Sequence, residues 1–343
     1  RYQQLKNTRL VTGKDSEIKL NKLINTIKKK GINSEYDCVI GVSGGVDSTY
    51  VAYLVKEFGL RPLAIHVDNG WNSELAVKNI ENTLKKCGID LYTKVLNWFE
   101  FRDLQKSFLY SSTPYGEIPT DHAINAILWN EAAKRNIKFI ISGMNFASES
   151  IETFYWSYGH ADWKFIKNIH KKFGKLKLKK YPHFTPLKLF YFTFFKGIRN
   201  ISILNYINYN KNDVKSILIN KLNWRPYQAK HYESTYTRFF QGYFLPKKFN
   251  IDKKYGHLSD LINSKIINRK EALRILNEED YSLTEQNNDI EYVCKKLDLS
   301  QAEFQKIIDM PNKFFMNYEN SYNIIILLKN IVNFLRKKGL YPK

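Results

Sequence analysis

The hydrophobic pattern changes period along this chain and divides it in two. Residues 16–30 place Ile18, Leu20, Leu23, Ile24 and Ile27 at helical spacing with lysines between them, which predicts an amphipathic helix leading into Gly31. The apolar run Val39-Ile40-Gly41-Val42 then reads as a buried strand and residues 49–58 as the helix after it. The alternation repeats with a strand at 62–67, a helix at 73–87 closed by Gly88, a strand at 89–96 and a helix at 100–109. After a loop at 111–119, Thr120 is placed to cap a long helix carrying Ile124, Ile127, Leu128 and Ala132, and residues 137–141 form a fourth strand. Four such units in the first 150 residues predict an α/β fold, a doubly wound parallel sheet with its ligand-bearing loops at the carboxyl edge.

From about Trp156 the alternation stops and the pattern becomes helical, basic and aromatic. Residues 163–173, 212–222, 231–244, 255–262 and 268–276 read as helices, and Ser300 with Glu303 makes a capping box for another. The apolar run 190–195 is expected to pack between domains, because displayed it would invite association. The resulting division is a helical lead-in at 1–34, a nucleotide-binding α/β domain at 35–155 and a mainly helical substrate or partner domain at 156–343.

Composition changes this picture little. With 343 residues and 43% hydrophobic content the chain can build real cores and is expected to be folded and soluble. Its 54 Lys and Arg against 33 Asp and Glu give +21, a charge that suits a polyanion, but the lysines are spread over ordinary helix exteriors. Cys38, Cys87 and Cys294 are far apart and form no metal knuckle or disulfide framework, which fits a cytoplasmic protein. No signal peptide is visible, and the sequence opens at Arg1. The late apolar run 322–335 is interrupted by Lys329, Asn330 and Asn333, too polar to span a bilayer, with Arg336, Lys337 and Lys338 available for peripheral contact at an inner membrane.

The chemistry concentrates in loops that share one edge of the sheet. In Ser43-Gly44-Gly45-Val46-Asp47-Ser48, the glycines can take positive φ and bring backbone N–H groups to an anion. Ser43 and Ser48 add hydroxyls, and the helix that follows adds its first-turn amides and positive dipole end. This is a phosphate cradle, and Asp47 implies Mg²⁺ between itself and the phosphates. Val67, Asp68 and Asn69 form either a nucleotide contact or a plain turn. In the loop after the fourth strand, Gly143, Asn145 and Glu149 stand out, the last also readable as a first-turn acid favoured by the helix dipole. Asp121 and His122, after Pro119, sit at a helix start where they can position a substrate or move a proton, although Asp121 also suits the dipole alone. In the second half, Lys230, His231, Glu233 and Arg238 crowd one predicted helix, with Ser234 and Thr237 beside them; the alternative is a surface helix with ordinary ion pairs.

These strings also carry a resemblance. The 43–48 loop resembles the pyrophosphate-binding loop (PP-loop) of ATP pyrophosphatases, not a Walker loop, which needs a different glycine–lysine order. Val67-Asp68-Asn69-Gly70-Trp71 resembles the adenine-side segment of the ammonia-using enzymes that make GMP. Gly143-Met144-Asn145-Phe146-Ala147-Ser148-Glu149 is similar in spacing to a segment of ammonia-dependent NAD synthetases whose last carboxylate helps hold Mg²⁺, which would put Glu149 beside Asp47 on the metal; Asn145 replaces an acid there. With Ile118-Pro119-Thr120-Asp121-His122, the 204–211 segment and Lys230-His231-Tyr232-Glu233-Ser234, residues 9–265 resemble the N-acetyl sugar amidotransferase family. Paired cysteines common near the N-terminus of that family are absent from these residues.

The resemblance implies an ATP-dependent carbon–nitrogen ligase for surface polysaccharide or glycan biosynthesis. It would adenylate the acetamido oxygen of a nucleotide-activated sugar, release AMP and PPi, and add ammonia from a partner glutaminase and synthase pair related to the one in histidine biosynthesis. Its cofactors would be ATP and Mg²⁺, and a homo-oligomer is compatible with the sequence. The alternatives are a tRNA-modifying ligase of the same ATP chemistry, which the charge would suit, and a catalytically silent ATP-binding sensor.

Overall fold

The computed structural model describes residues 2, 6, 9–11, 13, 15–150, 155–227, 232–278 and 281–337. A lead-in helix, α1 (Asp15–Gly31), is followed by β1 (Cys38–Gly41), α2 (Val46–Glu57), β2 (Pro62–Asp68), α3 (Glu74–Cys87), β3 (Asp90–Val95), α4 (Trp98–Tyr110), α5 (Ile118–Lys134) and β4 (Phe139–Ser142). The short α6 (Phe146–Glu149), then α7 (Trp163–Phe173), α8 (Pro186–Phe194) and β5 (Arg199–Ser202) complete this half. All five strands are parallel in one sheet of order β3-β2-β1-β4-β5. The order reverses between β1 and β4, so their carboxyl ends bound the crevice in which open α/β sheets take ligands.

Helices cover both faces, which is why the inner strands are continuously apolar. Side chains alternate between two cores: Cys38, Ile40, Ala64, Phe139 and Ile141 join Ile24, Ile27, Val51 and Val55 on one face. On the other, Val39, Leu63, Ile65 and Ile140 meet Phe101, Phe108 and Ile127. Local signals place the helices between them. The Ser73 side chain accepts from the Ala76 amide to start α3, and Gly88 ends it in the left-handed region at φ 58°.

The second half contains α9 (Lys211–Leu222), α10 (Thr235–Phe239) running into a π-helical stretch (Phe240–Phe249), then α11 (Lys253–Asn263), α12 (Arg269–Leu276), α13 (Leu283–Leu297), α14 (Gln301–Asp309) and α15 (Tyr322–Lys337). It is not a separate body. Tyr236, Phe239, Val293 and Phe304 belong to the same core cluster as Trp71, Phe101 and Phe108.

Several expectations change. The sheet draws its fifth strand from residues 199–202, beyond the boundary read at 155, because the basic stretch around α7 and α8 is a crossover connection. The helix read over 231–244 starts only at Thr235, with Ser234 as its N-cap, and changes to π geometry around Pro246, which has no N–H to return along the helix. Thr120 is not a cap: Pro119 lies in the first turn of α5 and Glu117 occupies the cap position. The run 190–195 is not packed away. Only Phe192 of α8 is buried, stacked on Trp129, while Leu187, Tyr191 and Phe195 are 66%, 45% and 75% exposed. On α15 Ile324, Leu327, Ile331 and Phe334 are exposed, and no helix among the described residues is long and apolar enough to cross a membrane.

Candidate active site

The loop after β1 is fixed from outside as much as by its own sequence. Gly44 adopts φ +80°, and a Cβ there would meet the Ala76 carbonyl oxygen at 2.5 Å, so only glycine fits. Its carbonyl accepts from the Trp224 indole N–H at 2.9 Å and the Tyr227 hydroxyl at 3.2 Å. Gly45, by contrast, is an extended N-cap at φ −71° and needs no positive φ. Because α2 begins at Val46, three residues earlier than the periodicity suggests, Val46, Asp47 and Ser48 form its first turn, where amide N–H groups lack intrahelical acceptors. Ser43 and Ser48 hydroxyls lie 3.1 Å apart, and the Ser43 oxygen also accepts from the Gly45 amide at 3.3 Å.

Asp47 meets a residue that the sequence reading assigned no role. The Tyr209 hydroxyl donates to its Oδ1. Burial, then the negative charge of Asp47 and more weakly that of Glu149, pushes the Tyr209 phenol well above its ordinary range, so all three oxygens share one neighbourhood. The loop after β4 packs directly on α2: a Cβ on Gly143 would lie 3.0 Å from the carbonyl carbon of Asp47. Glu149, at the end of α6, lines the cleft, and the Asp260 carboxylate of α11 accepts from the backbone amide of Ser150 at 2.7 Å and from its hydroxyl, fixing the chain just after Glu149. Asn145 is buried on the same loop.

No group of three or more His, Cys, Asp or Glu side chains among the described residues can hold a metal by itself. Two carboxylates beside a phosphate cradle nevertheless suit Mg²⁺, which takes one or two protein carboxylates and completes its shell with phosphate oxygens and water.

A cleft of about 540 Å³ opens from this edge. Ser43, His66, Asn69, Gly143 and Glu149 line it from the sheet, Glu117, Thr120, Asp121 and His160 from α5 and its neighbouring loop, and Glu233, Thr237, Gln241, Lys253 and His257 from the second half. His66 was not read as a site residue. Its Nδ1 lies 3.0 Å from the Val42 carbonyl and its Nε2 3.2 Å from the Asn72 amide, so it buttresses two loops at once. Asn69 accepts from the Trp71 amide at 3.1 Å and donates to Thr120 at 3.3 Å, whereas Asp68 serves the turn, accepting from the Gly70 amide at 2.8 Å. Val67 lines the cleft beside Asn69.

Glu233 closes over the cradle. A Cβ on Gly45 would stand 3.2 Å from its Oε1. The segment is stitched down by the Ser73 amide donating to the Glu233 carbonyl at 3.0 Å, the Thr235 amide donating to the Trp71 carbonyl at 3.1 Å, and an antiparallel bridge between Asn72 and Ser234. Glu233 and Ser234 thus precede the helix, so Ser234 does not share a helical face with Arg238, nor Glu233 one with Thr237. Lys230 and His231 lie outside the described residues.

Two other candidates turn away from the cleft. Arg238 pairs with buried Asp289 on α13, Nε to Oδ2 at 2.6 Å and Nη2 to Oδ1 at 2.7 Å. His122 is wholly buried; Nδ1 lies 2.9 Å from the His160 carbonyl, the Phe184 amide donates to Nε2 at 3.3 Å, and the ring stacks on Phe184 at 4.8 Å. Both nitrogens are spent, and the pattern sets the neutral Nδ1–H tautomer. The ring acts indirectly: it anchors the backbone of His160, whose Nε2 stands 3.2 Å from Asp121.

Burial holds the His122 ring down to about 4. An unfolded histidine titrates near its ordinary value of about 6.5, so unfolding takes up a proton between those values, and stability is full above the upper one and lost toward the lower. On this group alone stability is expected to fall by about 3 kcal/mol from about pH 7 to pH 4. Denaturant titrations of the native protein and His122→Phe at both pH values check this; an equal pH slope in the two would refute it.

Residues 233–332 match the family described as LPS biosynthesis protein WbpG-like, C-terminal domain. An uncharacterized protein of Methanocaldococcus jannaschii is 32% identical over 128 residues, 36% of this chain and 43% of that protein. The tRNA(Ile)-lysidine synthase of Chlamydia pneumoniae is 34% identical over 85 residues, 22% of this chain and 27% of that enzyme. The chain therefore spans less than half the length of these curated relatives. Among solved structures, the U34-tRNA thiolase of Methanococcus maripaludis superposes with a TM-score of 0.36 at 16% identity, over 76% of this chain and 81% of that one. A glycine-bearing loop at the switch point of a parallel sheet thus stands in one chain with a region similar to the LPS biosynthesis protein WbpG-like, C-terminal domain family, whose first matched residue, Glu233, lies over that loop.

Proposed function

We propose that the chain adenylates the acetamido oxygen of a nucleotide-activated sugar and replaces that oxygen with nitrogen from ammonia, giving an acetamidino sugar for surface glycan synthesis. The observation that carries this is the position of Glu233, the first residue of the WbpG-like region, directly over Gly45 of the cradle. The region resembling LPS-biosynthesis proteins and the 43–48 loop share one cleft, which supports this reading.

An amide oxygen is a poor leaving group, and joining it to AMP makes it a good one. In this reading the amide oxygen attacks the α-phosphorus, and PPi leaves into the amides and hydroxyls of the 43–48 loop. Asp47 and Glu149 would hold Mg²⁺, which offsets the charge that develops on the phosphates. Ammonia then adds to the activated carbon and AMP departs. A partner glutaminase and synthase pair is proposed as the ammonia source.

The test supplies ATP, Mg²⁺, ammonium and a panel of nucleotide-activated diacetamido sugars. AMP and PPi are expected together with a product in which one oxygen is exchanged for NH. The lysidine synthase likeness gives the rival reading a concrete arm: AMP release only when tRNA is added would replace the sugar with an RNA substrate. ATP bound but never cleaved would leave a sensor.

A further inference from the structure

We propose that Glu117 is the base that takes the proton from ammonia as it joins the activated amide carbon, an inference that rests on the amidine-forming reading above. The reaction needs such a group, and the histidine at the head of α5 is spent on structure. Glu233 lies over Gly45 of the 43–48 loop, against the proposed phosphate cradle.

Glu117 is held as a positioned base should be. It occupies the cap position of α5 but makes no capping bond, so its carboxylate is not consumed by the helix. The residues behind it, 111–116, are all buried. Gly116 is pressed so closely on Phe240 that a Cβ would meet the ring at 2.4 Å, and its carbonyl accepts from the Tyr236 hydroxyl at 3.2 Å. The backbone carrying Glu117 therefore cannot swing without opening the core. The side chain is 17% exposed and lines the cleft; Oε2 accepts from Gln241 at 2.7 Å and stands 3.8 Å from the Lys253 amine. Gln241, Thr237 and Lys253 line the same cleft, so the carboxylate and its supports form one wall.

The charged and titratable groups facing it set its strength. Burial acts most and pushes the carboxyl above its ordinary range; Lys253 opposes this, Asp121 one turn along α5 reinforces it, and hydrogen bonds from Gln241 and Thr237 oppose it. Tyr236, buried and pushed up to beyond the ordinary phenol range by burial and by Glu117, stays a neutral neighbour. His160 bears on the site through its pairing with Asp121. The outcome is a carboxyl group of raised basicity, held in the cleft wall where it can accept a proton, as a general base requires.

The ammonia lone pair forms the C–N bond to the O-adenylated amide carbon as the C=N π pair withdraws onto the amide nitrogen, which keeps its hydrogen. The new nitrogen, now cationic, gives one proton to the Glu117 carboxylate. The C–O bond then breaks with its electron pair leaving on AMP, and an amidinium remains. Solvent takes the proton from the Glu117 carboxyl.

Glu117→Gln is expected to lower ammonia-dependent amidine formation by about 10²–10⁴-fold, while sugar-dependent exchange of labelled PPi into ATP persists, since adenylation does not use this base. With rates expressed against free NH₃, the native protein should lose activity as acid protonates Glu117, and the variant should lose that limb. Lys253→Met removes a neighbouring cation, so it should move the limb to higher pH. Native amidine formation by Glu117→Gln, loss of exchange and transfer together, or an unmoved limb in Lys253→Met would overturn the proposal. If the native chain shows no sugar-dependent exchange at all, the amidine reading falls and this inference with it.

Discussion

Asp47→Ala is expected to slow ATP cleavage to AMP and PPi by about a thousandfold while the chain remains folded. The side chain sits on the first turn of α2 at the mouth of the cradle and is not among the core residues; its one described side-chain bond is the hydroxyl of Tyr209. The hydroxyl and amide bonds that shape the loop run among Ser43, Gly45 and Ser48, with Trp224 and Tyr227 on Gly44, so losing Asp47 leaves them in place. What is lost is one of the two carboxylates proposed to hold Mg²⁺ beside the 43–48 loop. Glu149→Ala should act in the same direction. Tyr209→Phe keeps both carboxylates and should cost far less than either, which separates a metal role from a hydrogen-bonding one. PPi release and thermal melting measured together settle the matter: unchanged turnover in Asp47→Ala removes it from the metal site, and a collapsed melting curve makes it structural.

How much of this site was legible in the sequence depends on how locally each feature is determined. The cradle was readable because strand, glycines and helix start lie within ten consecutive residues and their conformations follow from local propensity. The parallel sheet with its loops at one carboxyl edge was readable because crossover connections leave few choices. Three things were not. Trp224, Tyr227 and Tyr209 reach the cradle from more than 160 positions away, and no periodicity marks an indole that will bond one particular carbonyl. The fifth strand is only four residues long and half-exposed, so it lacks the apolar run of its neighbours. And the residues before α10 were read as helix because their polar side chains are spaced like one, whereas tertiary pairing with Asn72 holds Ser234 extended. His122 failed in a different way. Residue type and position beside Asp121 suggested proton transfer, but burial and two hydrogen bonds decide what an imidazole does, and neither shows in sequence.

Arg238→Met is expected to cost about 3–5 kcal/mol of folding stability and to leave the chemistry of the folded fraction nearly unchanged. Its guanidinium grips the Asp289 carboxylate through two bonds, the Tyr281 hydroxyl donates to the same carboxylate at 2.7 Å, and the guanidinium lies over the Tyr232 ring at 4.8 Å. Asp289 is only 4% exposed, so removing Arg238 strands a buried negative charge; most of the cost is that charge and not the loss of an attractive pair. It follows that Asp289→Leu should also destabilise, by leaving the cation without its acceptors, but that the double variant should be less damaged than the sum of the two. Urea unfolding of the four proteins gives the coupling directly. Additive losses would show that the pair is not a buried unit. A fall in turnover number in Arg238→Met, at temperatures where it is fully folded, would return Arg238 to the substrate side of the cleft. Because the pair joins α10 to α13, the expected result also makes a physical claim about Glu233 and Thr237. They line the cleft at the start of an element whose other side is bolted to the core, and Arg238 serves the site by holding that element still.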